Sequence, residues 1–263
     1  MTLIAEPFAA EPLGIASRTA PPAARQLSAT IDRVAALDER SVGAMYELYD
    51  RYYDATSRPL FEADLGNKDY VVMLRETSGA LAGFSTLAVL EAEIAGRRLR
   101  AIYSGDTIID HAHWGTQALA FTWIRFAGSI KAMEPDLPLY WFLIVKGHRT
   151  YRYLSAFSIR FYPHWQAPTP DAAREIMDAL ARQRFASAYD ACRGVVSFAR
   201  SRGHLKPEWA LIEEAEASRR DVAFFLRSNP GYTNGDELVC LTELASDNLR
   251  PLARRVFEQG LAA

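Results

Sequence analysis

The chain has 263 residues, of which 49% are hydrophobic and 24% charged, and its formal net charge is −2. That length supports a sizeable buried core, and the balance is that of a water-borne globular protein. The charge gives no electrostatic footprint for nucleic acid, no apolar run approaches the ~18 residues of a membrane span, and Cys192 and Cys240 form neither a CxxC pair nor a disulfide framework.

Residues 1–25 contain "AAEPLGIASRTAPPAA", rich in Ala and Pro, with Glu6 and Glu11 in place of a basic start. They are expected to be a flexible tail and not a secretion signal. With the cysteine usage, this points to a reduced, cytoplasmic setting. "DERSVGAMYELYDRYYD" (38–54) repeats Val42, Met45, Tyr46, Tyr49 and Tyr53 at helical spacing, with Asp38 as its cap. "RPLFEADLGNKD" follows as an irregular connector or a short helix. Strands are expected at 70–76, 81–94 and 99–110, separated by "TSGA" and "AGRR" turns. Gly105, inside the third of these, signals a bulge or a close backbone approach. A helix from 116 to 133 buries Leu119, Trp123, Phe126 and Ile130. "LYWFLIV" (139–145) is apolar without alternation, as a strand covered on both faces should be.

"KGHR" is a basic turn, and 150–158 is a short helix capped by Thr150. Residues 159–165 look extended. The segment from about 166 to 236 is helical in composition, including a helix at 213–229, and reads as an insertion before a last strand at 238–244. A helix capped by Ser246 or Asp247 ends the chain. The fold class is α/β, an α+β arrangement of helices around one mixed sheet, in a single domain over 26–263.

This order of elements resembles the GNAT acyltransferase superfamily over roughly residues 38–165, with 238–244 as the last strand. The resemblance implies that 99–110 and 139–145 are its fourth and fifth strands, parallel and splayed apart. A pantetheine thioester enters between such strands, pairing with their free backbone groups as an added strand does. The loop after the fourth strand then holds phosphate at a helix N-terminus. The family's loop reads Arg or Gln, two residues, Gly, one residue, then Gly or Ala. Here "AHWGTQ" keeps Gly115 but has Ala112 and Gln117 at the other marked positions. The donor implied is acyl-CoA or an acyl-carrier-protein thioester, and the altered loop suits the carrier protein, whose phosphopantetheine has no pyrophosphate. By position, the resemblance assigns donor binding to Ile108, Ile109, His113, Trp114, Gly115, Thr116 and Gln117, with Lys146 and Arg149 at the facing mouth. No permanent cofactor is implied.

Acyl transfer to an amine needs a deprotonated amine, a stabilised oxyanion and a protonated leaving thiolate. Asp106 stands beside the expected thioester, able to hold or deprotonate an ammonium; its other reading is a carboxylate satisfied by backbone or an arginine. Strand alternation puts Ser104 on the same face. His111 and His113 lie two apart, a poor metal signal without further ligands. Either is a loop residue, or a base or phosphate contact. The family's general acid is a tyrosine near the start of the helix after the fifth strand, matched by Tyr151 or Tyr153. The expected function is an N-acyltransferase acting on a primary amine without a covalent intermediate, the insertion favouring a medium or long acyl chain. The alternative is a non-catalytic module of the same fold that binds a small molecule or a carrier protein. The sequence leaves the oligomeric state open.

Overall fold

The computed structural model describes residues 27–263; the tail expected over 1–25 lies outside the described residues. The first described element, β1 (Leu27–Arg33), is absent from the expectations above. Its alternation is visible in the sequence, and Leu27, Ala29 and Ile31 pack on the core. β1 supplies the strand needed to make 97–109 the fourth of the main sheet in chain order.

The helix α1 (Glu39–Tyr52) starts where Asp38 accepts a hydrogen bond from the Ser41 amide at 2.8 Å. It buries Met45, Leu48, Tyr49 and Tyr52. After β2 (Tyr53–Asp54), the connector resolves into a short helix, α2 (Arg58–Leu65), capped by Ser57. The strands β3 (Tyr70–Glu76), β4 (Leu81–Ile94) and β5 (Arg97–Ile109) form an antiparallel run. Ala95 and Gly96 both have positive φ and make a two-residue hairpin, so Arg97 and Arg98 belong to β5 and not to the turn. Then come α3 (Ala118–Met133) and β6 (Leu139–Val145). The helix α4 (His148–Phe157) starts two residues before the expected Thr150 cap, because Gly147 is the last extended residue.

The segment expected to be helical, with a possible break near Gly194, is mixed. It holds α5 (Asp171–Phe185), the short strands β7 (Tyr189–Asp190), β8 (Val195–Val196) and β9 (His204–Leu205), and the helices α6 (Pro207–Ala210), α7 (Glu214–Ala217) and α8 (Arg220–Ser228). Gly194, at φ +65°, turns the chain so that the β-branched Val195–Val196 pair joins the sheet. The expected 213–229 helix breaks where Arg219 is extended. The chain closes with β10 (Glu237–Glu243) and α9 (Pro251–Leu261). α9 begins at Pro251, past Ser246 and Asp247, because the Asn248 amide bonds Arg160 O, Thr242 Oγ1 and Glu243 O and holds the preceding turn. Residues 159–165 contribute only isolated bridges, among them Tyr162 with Leu241.

The main sheet runs β1-β3-β4-β5-β6-β10-β8-β7. Among the described residues its only parallel neighbours are β5 and β6. This is the mixed α/β sheet, with its parallel pair, expected from the sequence. One face packs against α3, α4 and α9, while the other packs against α5 at one end and α1 and α2 at the other. The helices α3 and α9 meet backbone to backbone: a Cβ on Gly128 would lie 2.1 Å from Phe257 O. No helix among the described residues is long and apolar enough to cross a membrane.

Candidate active site

Parallel pairing of β5 with β6 runs from Arg100/Leu139 to Ser104/Leu143 and stops there, although both strands continue. The cause is a bulge. Ser85 pairs with Thr107 and Leu87 with Ser104, so Thr86 faces both Gly105 and Asp106. The extra residue bends β5 away from β6. A Cβ at position 105 would lie 2.5 Å from Lys68 Cε and 2.6 Å from Thr86 Oγ1, so glycine lets these two side chains close over the strand. Bulge and close approach, offered above as alternatives, are both present.

The bulge also corrects one expectation. Ser104 points toward α3, where its Oγ accepts from Trp141 Nε1 at 2.9 Å. Gly105 and Asp106 both turn to the opposite face, toward Lys68. Ser104 and Asp106 therefore do not share a face; simple alternation fails because one residue too many lies between the paired positions.

A narrow cleft of about 30 Å³ lies between the diverging strands, lined by Ser104, Trp123, Trp141, Leu143, Tyr153 and Phe157. The first turn of α3, at Leu119 and Ala120, borders it. Trp123 Nε1 is buried there without a hydrogen-bond partner among the described residues. The two candidate tyrosines separate cleanly. Tyr151 is fully buried beside Phe161, Phe224 and Phe225, and its hydroxyl donates to Pro163 O at 2.8 Å. Tyr153 lines the cleft, and its hydroxyl makes no hydrogen bond among the described residues. Burial raises the pKa of both phenols.

On the opposite face α1, α2, β5, β6 and β10 bring charges together. Lys146 Nζ lies 3.1 Å from Glu237 Oε1, and Lys68 pairs with Asp64. Lys68 and Lys146 sit over the Tyr103 and Tyr53 rings respectively, each at 5.4 Å. Burial pushes the Tyr53 phenol up to about 12. Burial opposes the charge on Lys146, yet Glu237, Tyr49 and Asp106 outweigh it and hold the ammonium well above the usual lysine range. Asp106 is half-buried and forms no hydrogen bond or ion pair among the described residues. Burial first, and then repulsion from Asp64, raise its pKa against the pull of Lys146 and Lys68.

The loop after β5 is tied down by its own side chains. Asp110 accepts from the Ala112 amide at 3.0 Å and pairs with Arg51. The His111 amide donates to Tyr52 Oη at 2.7 Å. His113 lies 3.0 Å from Glu76 and is nearly buried. Trp114 donates from Nε1 to Ile109 O at 2.9 Å, on the β5 segment that lacks a β6 partner, while Arg149 stacks on the Trp114 ring at 4.8 Å. Gly115 has φ +89°. Thr116 Oγ1 accepts from the Ala118 amide at 3.3 Å, and Gln117 occupies the cap position of α3 without a side-chain cap bond. Ile108 is buried under α1 and α2.

Tyr153 thus lines the cleft, Asp106 and Lys146 lie on the opposite face of the sheet, His111, Trp114 and Arg149 all meet Trp209, Tyr151 serves packing, and His113 lies against Glu76. Sequence reasoning missed Lys68 and Asp64, whose i,i+4 spacing was a usable signal, and Thr86, Trp209 and Glu237, which carried none.

No family model matches the chain, and no curated protein matches it. Similar solved structures include a conserved Enterococcus faecalis protein described as a probable N-acyltransferase, at 11% identity over 52% of this chain and 33% of that chain, with a TM-score of 0.38. This chain therefore spans about a third of that protein. The GNAT-family N-acetyltransferase YhbS from Escherichia coli, in complex with CoA, is similar at 16% identity over 53% of this chain and 72% of that one, with a TM-score of 0.35. An acyl-CoA N-acyltransferase from Pseudomonas aeruginosa is similar at 18% identity over 50% and 88%, with a TM-score of 0.36.

Proposed function

We propose that the protein is an N-acyltransferase that moves an acyl group from a pantetheine thioester to a primary amine by direct attack. One observation carries this reading. The parallel pair opens beyond Ser104 and Leu143, with an unpaired carboxylate, Asp106, on one side of the gap and an unpaired phenol, Tyr153, on the other. An extended pantetheine chain fits the unpaired β5 edge as a short added strand. Asp106 binds the acceptor's ammonium and takes one proton from it, its raised pKa making it a stronger base than a carboxylate in water. The nitrogen attacks the thioester carbonyl, the carbon–sulfur bond breaks, the thiolate takes the Tyr153 proton, and the surplus proton on the new amide nitrogen returns to the Tyr153 phenolate. Burial raises the proton affinity of thiolate and phenolate alike in this apolar cleft.

The mouth favours a carrier-protein donor over free acyl-CoA. Trp114, Arg149 and Trp209 fill the space beside the α3 N-terminus with mutual contacts, Trp114 and Trp209 meeting edge-on at 5.7 Å. A single phosphodiester needs less of that space than a pyrophosphate. The lining of the cleft is apolar, which suits the acyl group of a thioester.

The test is thiol release from acetyl and decanoyl thioesters, each on CoA and on an acyl carrier protein, with a panel of primary amines. Amine-dependent release is expected, fastest from the carrier protein. Tyr153→Phe is expected to lower kcat by about 10²-fold or more, and Tyr151→Phe to leave kcat near that of the parent. No release from any thioester returns the chain to the non-catalytic binding module.

A further inference from the structure

Thr86 is 1% exposed, and its hydroxyl has no hydrogen-bond partner among the described residues. It sits opposite the bulge, on the face that carries Gly105 and Asp106, and an ideal Cβ at position 105 would lie 2.6 Å from its Oγ1. A buried hydroxyl is normally satisfied. Here the unsatisfied oxygen and the unpaired Asp106 carboxylate stand beside each other at one point of the sheet.

The ion pairs around that point leave Asp106 out. Lys68 pairs with Asp64 and Lys146 with Glu237, while Arg184 stacks on the Tyr103 ring beside Lys68. Asp106 forms no ion pair among the described residues. A cation with at least two donor hydrogens satisfies both the charge and the orphan hydroxyl. A carboxylate carried beside that cation meets Asp64 and Glu237, with both lysines already taken. The face is also tight: a methyl at Gly105 would force Lys68 and Thr86 to shift.

We propose that Thr86 and Asp106 together hold the acceptor's ammonium, and that the acceptor is an unbranched primary alkylammonium with no acid on the carbon next to nitrogen. This rests on the acyltransfer reading in treating the ligand as the acceptor. Thr86 donates to no group in the complex; its oxygen accepts one ammonium hydrogen and the Asp106 carboxylate accepts another.

Calorimetric titration of the full chain with n-butylammonium chloride and with norvaline tests the ligand class. Norvaline is the same skeleton with a carboxylate on the nitrogen-bearing carbon. Butylammonium is expected to bind at least 10-fold more tightly. Thr86→Val is expected to weaken it about 10-fold, Thr86→Ser to keep it within about twofold, and Asp106→Asn to weaken it further than Thr86→Val. Equal or tighter norvaline binding, no butylammonium binding, or an unchanged Thr86→Val affinity overturns the proposal. The parent protein's preference between the two ligands decides the class even where a variant fails to fold. The titration needs no thioester. Binding without acyl transfer removes the proposed function and leaves this site standing. Transfer with an unchanged amine KM in Thr86→Val does the reverse.

Discussion

Asp106→Asn is expected to lower amine-dependent thiol release by about 10²–10⁴-fold, the usual contribution of a positioned base. The same variant should melt at a higher temperature than the parent at neutral pH. Both effects have one origin. Burial and Asp64 raise the Asp106 pKa, so the folded state holds that proton more tightly than the unfolded chain does. A carboxyl with a raised folded pKa stabilises at low pH, and that contribution is lost as pH rises through the folded value. At neutral pH the ionised Asp106 is therefore a net cost, which an uncharged Asn removes. The parent's rate should climb with pH as Asp106 loses its proton, and the variant should lack that limb. Initial rates across pH together with thermal melts check the account. A variant that keeps its rate, or melts lower with its rate intact, contradicts the role given to Asp106.

The second large effect is on stability. Lys146 and Glu237 keep only 14% and 6% of their side-chain surface exposed, and they meet at 3.1 Å. Lys146→Met removes the partner and leaves Glu237 as a buried, unpaired charge near the Asp106 carboxylate. Breaking a buried pair from one side costs about 3–5 kcal/mol, which for a domain of this size is a Tm loss on the order of 10 °C. The double variant Lys146→Met/Glu237→Leu should recover most of that loss, because it removes the stranded carboxylate as well. Lys146 has a raised folded pKa, so its contribution is present below the ordinary lysine pKa and fades only as pH rises through the folded value. Lys146 itself should then cause no loss of stability between pH 6 and about 9. A double variant less stable than Lys146→Met would show that packing, not charge, holds this corner.

Much of the scaffold was legible because local rules sufficed. The apolar, non-alternating run 139–145 reads as a doubly covered strand, and Asp38 caps the helix it precedes. Gly105 gave notice of the bulge. The consequence of the bulge was not legible: that Ser104 and Asp106 face opposite ways depends on which partner residue the extra one is counted against, a non-local fact. Tyr151 and Tyr153 could not be separated by sequence, because the α4 start at His148 and the aromatic bed beneath Tyr151 are set by tertiary packing. Thr86, in an unbroken strand pattern, carried no mark of its orphan hydroxyl. The stretch 186–205 looked helical by composition, yet a glycine turn and a neighbouring sheet edge drew it into short strands.

The account depends most on the gap between β5 and β6 taking the donor's arm. The direct measurement is a crystal structure of the protein with S-acetonyl-pantetheine, in which a ketone replaces the thioester. The account predicts the pantetheine chain lying between the two strands beyond Ser104 and Leu143, hydrogen-bonded to the β5 edge at 107–109, with its ketone between Asp106 and Tyr153. Strands paired without interruption through Ile109 and Val145, or the analogue bound elsewhere on the molecule, would contradict it.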